Sequence, residues 1–415
     1  MLHATEIMGA KTYDPHGNFV GWVRELFIEP AEQPNRVAWY LLERGRYRPW
    51  LVRYNQVAAI APGTLKLNVD ERQLAPYAAN EGWLAVGKDL LDQQIIDTSG
   101  RKVVRVNDLD LAEYAMVDGS AVELRLTQVD VGLRGAARRL LQGLASPGAI
   151  RTIQQKLPAR TILWEFVNLI EPDPMRRVRL RITHQKLARM HPADLADIME
   201  ELSPAERQAI IATLDDLTAA EVMAELDERL QAQIVEKLDP EKAADIIEEM
   251  APDEAADLLA DLSPETSQEV LEELPSDEAE EVRELLQFDE NSAGGMMNTE
   301  FVYVGEDASR EEVLRWIRVQ DVRAEQLDTI FLIRQDATLS GSVSVARLLL
   351  AEPGQRMAEL KSEPMVSVPP ETDDAEVLEL FDKYNLRTLA VVGPEGRPIG
   401  AITVDDVVSR LHKGR

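Results

Sequence analysis

From His191 to Leu286 the chain divides without a gap into eight units of twelve residues, beginning HPADLADIMEEL, SPAERQAIIATL and DDLTAAEVMAEL and ending PSDEAEEVRELL. The twelfth position is always Leu or Met (Leu202 and Leu214 through Met250 to Leu286), and the eighth is always Ile, Val or Leu (Ile198 through Val282). Positions 5, 8 and 12 lie at helical spacing, so each unit carries one apolar stripe. Ser or Asp opens five units (Ser203, Asp215, Asp227, Asp239, Ser263), which suits a helix cap. Pro stands next in five (Pro192, Pro204, Pro240, Pro252, Pro264), pre-set for a first helical turn and ending the helix before it. The pattern predicts an α-helical solenoid over residues 191–290, with one short helix per repeat burying its stripe only against its neighbours.

These repeats hold 30 acidic and 5 basic residues, a local net of −25 in a chain whose total is −29. A balance of this sign argues against nucleic acid as a partner, since phosphates demand a basic surface. Acids in a first helical turn, such as Asp194, Glu206, Asp253 and Glu254, face the positive end of the helix dipole. The doublets Glu200-Glu201, Glu248-Glu249 and Glu272-Glu273 stand near helix C-termini and lack that reason. Two readings follow: a solvated surface, or oxygen-only sites for hard divalent cations such as Mg²⁺, which bridge carboxylates through retained waters.

Other chemistries find little footing. Cysteine is absent, which removes disulfides and thiolate zinc sites, and the five histidines are scattered. No phosphate-cradling glycine loop or nucleophile–base pair is present, so no enzyme is expected. No uncharged stretch approaches the ~18 apolar residues of a membrane span. The N-terminus MLHATEIMGAKTYD has no signal-peptide character, so a cytoplasmic chain without a transmembrane segment is expected.

Upstream, KTYDPHGNFVGWVRELFI and QIIDTSGRKVVRVNDLDL align at an offset of 83, pairing Asp14 with Asp97, Gly17 with Gly100, Val20 with Val103, Val23 with Val106 and Glu25 with Asp108. Asp-x-x-Gly between alternating apolar runs predicts a hairpin in each copy. The two copies, at residues 1–80 and 81–130, resemble PRC-barrel modules, with Val104 replacing Gly21 in the second. Trp22, Trp39, Tyr40, Tyr47 and Trp50 alternate as core or cross-strand pairs would. Residues 131–190 reverse the charge, with 12 bases against 3 acids, and include ARRLLQGL, ILWEFVNLI and RRVRLRITHQK. They are expected to form a basic helical linker that docks on the acidic repeats, with ILWEFVNLI packing a hinge.

The C-terminal part reads as two βαββα copies, at 291–361 and 362–415, resembling a pair of CBS domains. The resemblance rests on Gly400-Ala-Ile-Thr403-Val-Asp-Asp406 and on Gly341-Ser-Val-Ser344-Val-Ala-Arg347. In that family a Thr or Ser and an Asp three residues later hold the ribose of ATP or another adenine nucleotide. The resemblance therefore implies Thr403 and Asp406 as cofactor-binding residues, while Arg347 replaces the acid in the first copy. Thr403 and Asp406 equally fit a capping box that needs no ligand.

The solenoid, the connection QFDENSAGGMMNTEFVYV and the CBS pair together resemble the cytosolic region of the MgtE magnesium-transporter family, on the motifs HPADLADIMEEL, SAGGMMNTEF and GAITVDDVV. The resemblance implies Mg²⁺ held between the two parts, with Glu221, Asp253, Asp257 and Asp406 as ligands and the Gly295 carbonyl as a further one. Ala375, Asn385 and Ser409 depart from the acids or polar groups expected at those positions, and the sequence ends at Arg415 before any connecting helix or membrane bundle. The expectation is a multidomain α+β chain: two small β-barrel-like modules, the solenoid, and the CBS-like pair. Its expected function is that of a Mg²⁺-responsive regulatory module, open to adenine nucleotide, dimerising through its CBS pairs and engaging an unidentified protein, a membrane transporter among the candidates. A cation-indifferent structural adaptor binding through the PRC-like modules is one alternative, and an adenine-nucleotide sensor another.

Overall fold

The structure, a computed structural model, describes residues 2–116, 121–132, 160–171, 173, 175–177, 185–319, 327–362 and 365–413. The chain falls into two compact units, Met1–Thr218 and Ala219–Arg415.

The first unit opens with β1 (Leu2–His3) and a helical turn, α1 (Ala4–Ile7). Then come β2 (Lys11–Tyr13), β3 (Phe19–Ile28), β4 (Val37–Glu43), β5 (Trp50–Arg53), β6 (Val57–Ala61), β7 (Thr64–Leu67), β8 (Ala75–Pro76) and β9 (Leu84–Ala85). These form a sheet of order β6-β7-β2-β3-β4-β5-β8, with β9 paired to β3. Its edges β6 and β8 are not joined, so the barrel expected of this module is an open sheet. Next follow β10 (Gln94–Asp97), β11 (Lys102–Arg105), β12 (Asp108–Ala115), β13 (Val122–Asp130), β14 (Thr161–Leu163) and β15 (Val167–Leu169). They build a sheet of order β1-β12-β13-β14 and a smaller one, β11-β10-β15.

The two copies share their backbone pattern. Lys11↔Trp22 and Thr12↔Gly21 in the first hairpin match Gln94↔Arg105 and Ile95↔Val104 in the second. Asp14 Oδ1 accepts the N–H groups of His16 at 2.9 Å and Asn18 at 2.8 Å. Asp97 Oδ1 does the same for Ser99 at 3.1 Å and Gly100 at 2.9 Å. Each aspartate thus fastens its own turn through local side-chain-to-backbone bonds. The copies also exchange strands: β1 pairs with β12 of the second copy, and β9 pairs with β3 of the first. The matched acids Glu25 and Asp108 seal the exchange. Glu25 Oε1 accepts Gly87 N–H at 2.8 Å, and Asp108 accepts the hydroxyl of Thr5 at 2.6 Å. One core runs through both copies, including Val20, Leu26, Tyr40, Ile95, Leu109 and Leu124.

Two expectations change here. The segment ILWEFVNLI, assigned to a helical linker and hinge, instead supplies strand: β14 pairs with β13, and β15 with β10. Its 3₁₀ turn Trp164–Phe166 matches Tyr54–Gln56 of the first copy. ARRLLQGL and most of RRVRLRITHQK lie outside the described residues. Tyr40 is fully buried and Trp39 stacks on Trp83 with centroids 5.1 Å apart, but Trp22 and Tyr47 are exposed, at 44% and 70%. Strand alternation turns Trp22 outward, and Tyr47 lies in the turn between β4 and β5.

One helix per repeat is present: α2 (Pro192–Glu200), α3 (Pro204–Ile211), α4 (Asp216–Ala224), α5 (Glu228–Val235), α6 (Pro240–Glu248), α7 (Pro252–Asp261), α8 (Pro264–Glu273) and α9 (Ser276–Leu285). The unit boundary falls inside α4. All eight position-8 residues are buried, and position 12 is buried except at Leu238, which is half-buried, and Leu286, which is exposed. Most of the expected caps form: Asp227 Oδ1 accepts Leu230 N–H at 2.9 Å, and Glu206 reaches back to Ser203 N–H at 2.8 Å, while Asp239 makes no side-chain cap bond. Within the second unit the principal packing is between next-but-one helices, α5 with α7, α6 with α8 and α7 with α9, rather than between immediate neighbours. Short connections splay consecutive helices and bring alternate ones side by side. Position 5 is polar in some repeats for a related reason. Arg207 donates to the carbonyls of Met199 (2.7 Å) and Glu200 (3.0 Å), and Gln231 to those of Met223 (2.7 Å) and Leu226 (3.0 Å). Each satisfies the open C-terminus of the preceding helix.

The second unit ends in two βαββα copies. The first is β16 (Tyr303–Gly305), α10 (Arg310–Ile317), β17 (Thr329–Ile333), β18 (Leu339–Ser344) and α11 (Val345–Leu350), followed by a turn, α12 (Met357–Leu360). The second is β19 (Ser367–Val368), α13 (Asp374–Tyr384), β20 (Thr388–Val392), β21 (Pro398–Thr403) and α14 (Val404–Lys413). Both have a parallel then an antiparallel pairing, with Thr329↔Ser344 matching Thr388↔Thr403 and a bulge at Leu332/Ile333 matching one at Val391/Val392. Phe331, Ala390 and Ala401 form a shared apolar cluster between the copies.

Candidate cation site

The connection between α9 and β16 is fixed by backbone pairing. Ala293 and Gly294 donate to the carbonyls of Thr372 (2.7 Å) and Pro370 (2.8 Å), and Asn298 exchanges two bonds with Ala401 (2.8 and 2.9 Å). The glycines here answer to space. A Cβ on Gly295 would lie 2.4 Å from Asp289 O and 2.8 Å from Glu290 Cα, and one on Gly400 would lie 2.6 Å from Met297 Sδ. This close path carries Asn298 to α7, where its Nδ2 donates to Asp253 Oδ1 at 3.0 Å.

Asp253, Glu254 and Asp257 of α7, Glu290 and Gly295 of the connection, and Asp406 and Arg410 of α14 line one cavity of about 110 Å³. Four of the residues expected as ligands, Asp253, Asp257, Asp406 and Gly295, are thereby brought together, while Glu221 is exposed and does not line the cavity. Among the described residues no three His, Asp or Glu side chains stand close enough to grip a bare ion. The cavity instead has room for several waters at ~10–15 Å³ each, as a partly hydrated cation requires.

The electrostatics match a crowd of like charges. Burial, then the neighbouring charges of Asp406, Glu254 and Asp257, push the Asp253 carboxyl well above the carboxylate range. Burial likewise pushes Asp406 up to about 6, against the opposing hydrogen bonds from Thr403. Those bonds make the capping box: Asp406 Oδ2 accepts Thr403 N–H at 2.6 Å and its hydroxyl at 3.0 Å. Both residues expected to hold a ribose are therefore engaged with each other.

Sequence reasoning missed three residues of this neighbourhood: Asn298, Glu290 and Arg410. Arg410 Nε donates to Asp374 Oδ2 at 2.9 Å, Nη1 to Glu290 Oε1 at 3.0 Å, and Nη2 to Asn291 Oδ1. Its place one turn after Asp406 on α14 was the available signal.

The second unit thus joins helical repeats to paired βαββα domains, with an acidic cavity between α7, the connection and α14. Residues 190–291 match the MgtE intracellular N domain, and residues 357–413 match the CBS domain. The chain is 39% identical over 124 residues to the magnesium transporter MgtE of Thermus thermophilus, covering 30% of this chain and 28% of that one. It is 25% identical over 118 residues to MgtE of Bacillus subtilis, covering 28% of this chain and 26% of that one. It thus spans about a quarter of the length of these curated relatives. Among solved structures, the cytosolic domain of the Mg²⁺ channel MgtE in complex with ATP aligns over 56% of this chain and 94% of its own, at 34% identity and a TM-score of 0.53. The soluble part of a magnesium transporter aligns over 58% and 93%, at 24% identity and a TM-score of 0.52, and shares the fold. The C-terminal half of the chain is an MgtE-family cytosolic region. Among the described residues no helix is long and apolar enough to cross a membrane.

Proposed function

We propose that this chain is a regulatory module whose second unit responds to Mg²⁺ at the cavity formed by Asp253, Asp257, Asp406 and the Gly295 carbonyl. The carrying observation is the convergence of carboxylates from α7 and α14 on one small, half-buried cavity with room for several waters. Without a cation these carboxylates repel one another, and at an effective dielectric near 20 two charges ~4 Å apart differ by about 4 kcal/mol before screening. A dication bound in the closed arrangement stabilises it by its differential affinity alone. The similarity to MgtE proteins supports the choice of Mg²⁺, and the likeness to an ATP complex supports adenine nucleotide as a modulator acting near Thr403. Dimerisation through the CBS pair, a cytoplasmic setting, and a protein partner for the PRC-like modules, a membrane transporter among the candidates, belong to the same proposal. So does the six-part domain division, with the second β module carried on to Leu169.

The test is thermal unfolding and small-angle scattering across a Mg²⁺ titration at fixed ionic strength. Saturation to ten times the dissociation constant adds about 1.4 kcal/mol, or roughly 3–6 °C for a unit of this size. Asp253→Asn/Asp257→Asn should abolish the shift and any compaction. No change in wild type across millimolar Mg²⁺ refutes the reading and leaves the adaptor.

A further inference from the structure

Five acids line the cavity (Asp253, Glu254, Asp257, Glu290, Asp406), and among the described lining residues a single cation, Arg410, faces them. Arg410 is not a loose surface arginine. Its side chain is 16% exposed and is held on three sides, by Asp374, Glu290 and Asn291. A guanidinium with all its edges committed is a fixed positive charge, unlike a mobile lysine. It stands four residues after Asp406 on α14, the spacing that places two side chains on one helix face.

We infer that Arg410 is the resident counter-cation of the cavity, and that a divalent cation binds in competition with it for Glu290. Resting on the cation reading above, this adds how the site is tuned. In the ion-free protein the guanidinium offsets part of the acidic field and closes α14 onto the connection. An entering dication meets that fixed charge and must draw Glu290 away from Arg410. Affinity is thereby lowered to a range in which occupancy changes with cation concentration rather than staying saturated. The device needs no movement beyond one carboxylate and one side chain, both at the cavity wall.

The test compares Mg²⁺ binding by calorimetry to the full chain and to Arg410→Met, which keeps an unbranched apolar stem and removes the guanidinium and its charge. The expected result is at least a fivefold tighter dissociation constant together with a lower melting temperature in the absence of Mg²⁺. Arg410→Lys should fall between, because it keeps the charge but loses the fork. Arg410→Gln retains amide donors for Glu290 and Asn291, and provides the same comparison should Arg410→Met fail to fold. Equal or weaker binding in the uncharged variants overturns the inference and makes Arg410 an anchor alone. Wild type that binds no Mg²⁺, or binds it unaffected by Asp253→Asn, overturns the cation reading itself and this inference with it.

Discussion

Gly295→Ala is the sharpest perturbation of the connection that closes the cavity. The added Cβ would meet Asp289 O at 2.4 Å and Glu290 Cα at 2.8 Å, both backbone atoms that cannot rotate aside. Overpacking of this kind costs about 1–3 kcal/mol, with rigid contacts at the upper end. Against it, alanine restricts the unfolded chain and returns about 0.4–1 kcal/mol. The net loss is about 2 kcal/mol, which lowers the melting temperature by roughly 4–8 °C in a unit of this size. Gly305→Ala is the matched control, since nothing lies within 4 Å of its Cβ and its φ is not positive. It should keep or slightly raise stability. Calorimetry and urea unfolding of the two variants beside wild type decide the matter. A Gly295→Ala midpoint within about 1 °C of wild type would refute the claim that this backbone approach is tight and fixed.

Two further outcomes are expected. In chelator, stability should rise as pH falls from about 7 to about 5, because Asp406, raised to about 6, and Asp253 bind protons more readily folded than unfolded. The gain is complete near the ordinary carboxylate range around 4, and Asp406→Asn should flatten it; a flat wild-type profile contradicts the crowding of these carboxyls. Gln231→Ala should cost about 1–2 kcal/mol by leaving the carbonyls of Met223 and Leu226 without their side-chain donor, and an unchanged urea midpoint would show that solvent replaces it.

The helices were legible because a period of twelve, a recurring proline and an apolar stripe state where each begins and what it buries. Their next-but-one packing was not, since an apolar stripe says that a face is covered and not by which neighbour. The two hairpins could be aligned because Asp14 and Asp97 perform the same turn chemistry at one offset. The end of the second β module escaped notice because its last strands resume at a different spacing: Trp164–Phe166 stands 110 residues after Tyr54–Gln56, against 83 for the hairpins. That shift follows from the longer stretch between β13 and β14. At the cavity, the acids announced themselves by charge and by family resemblance. Asn298 did not, since a lone amide has no signature until the fold sets Asp253 beside it, and Arg410 offered only its place one turn after Asp406.

The exchange of β1 and β9 gives the first five residues of the chain an unusual weight. Leu2 and His3 form the border of a sheet built from residues more than a hundred positions away, and Thr5 closes on Asp108. The second module therefore cannot complete its own edge from its own sequence, and the first depends in the same way on Leu84 and Ala85. A cut made between the modules, which the sequence repeat invites, would leave two halves each missing a border that the other carries away. Cut fragments would recover their pairing by finding each other again, as two chains holding the places that one chain holds here.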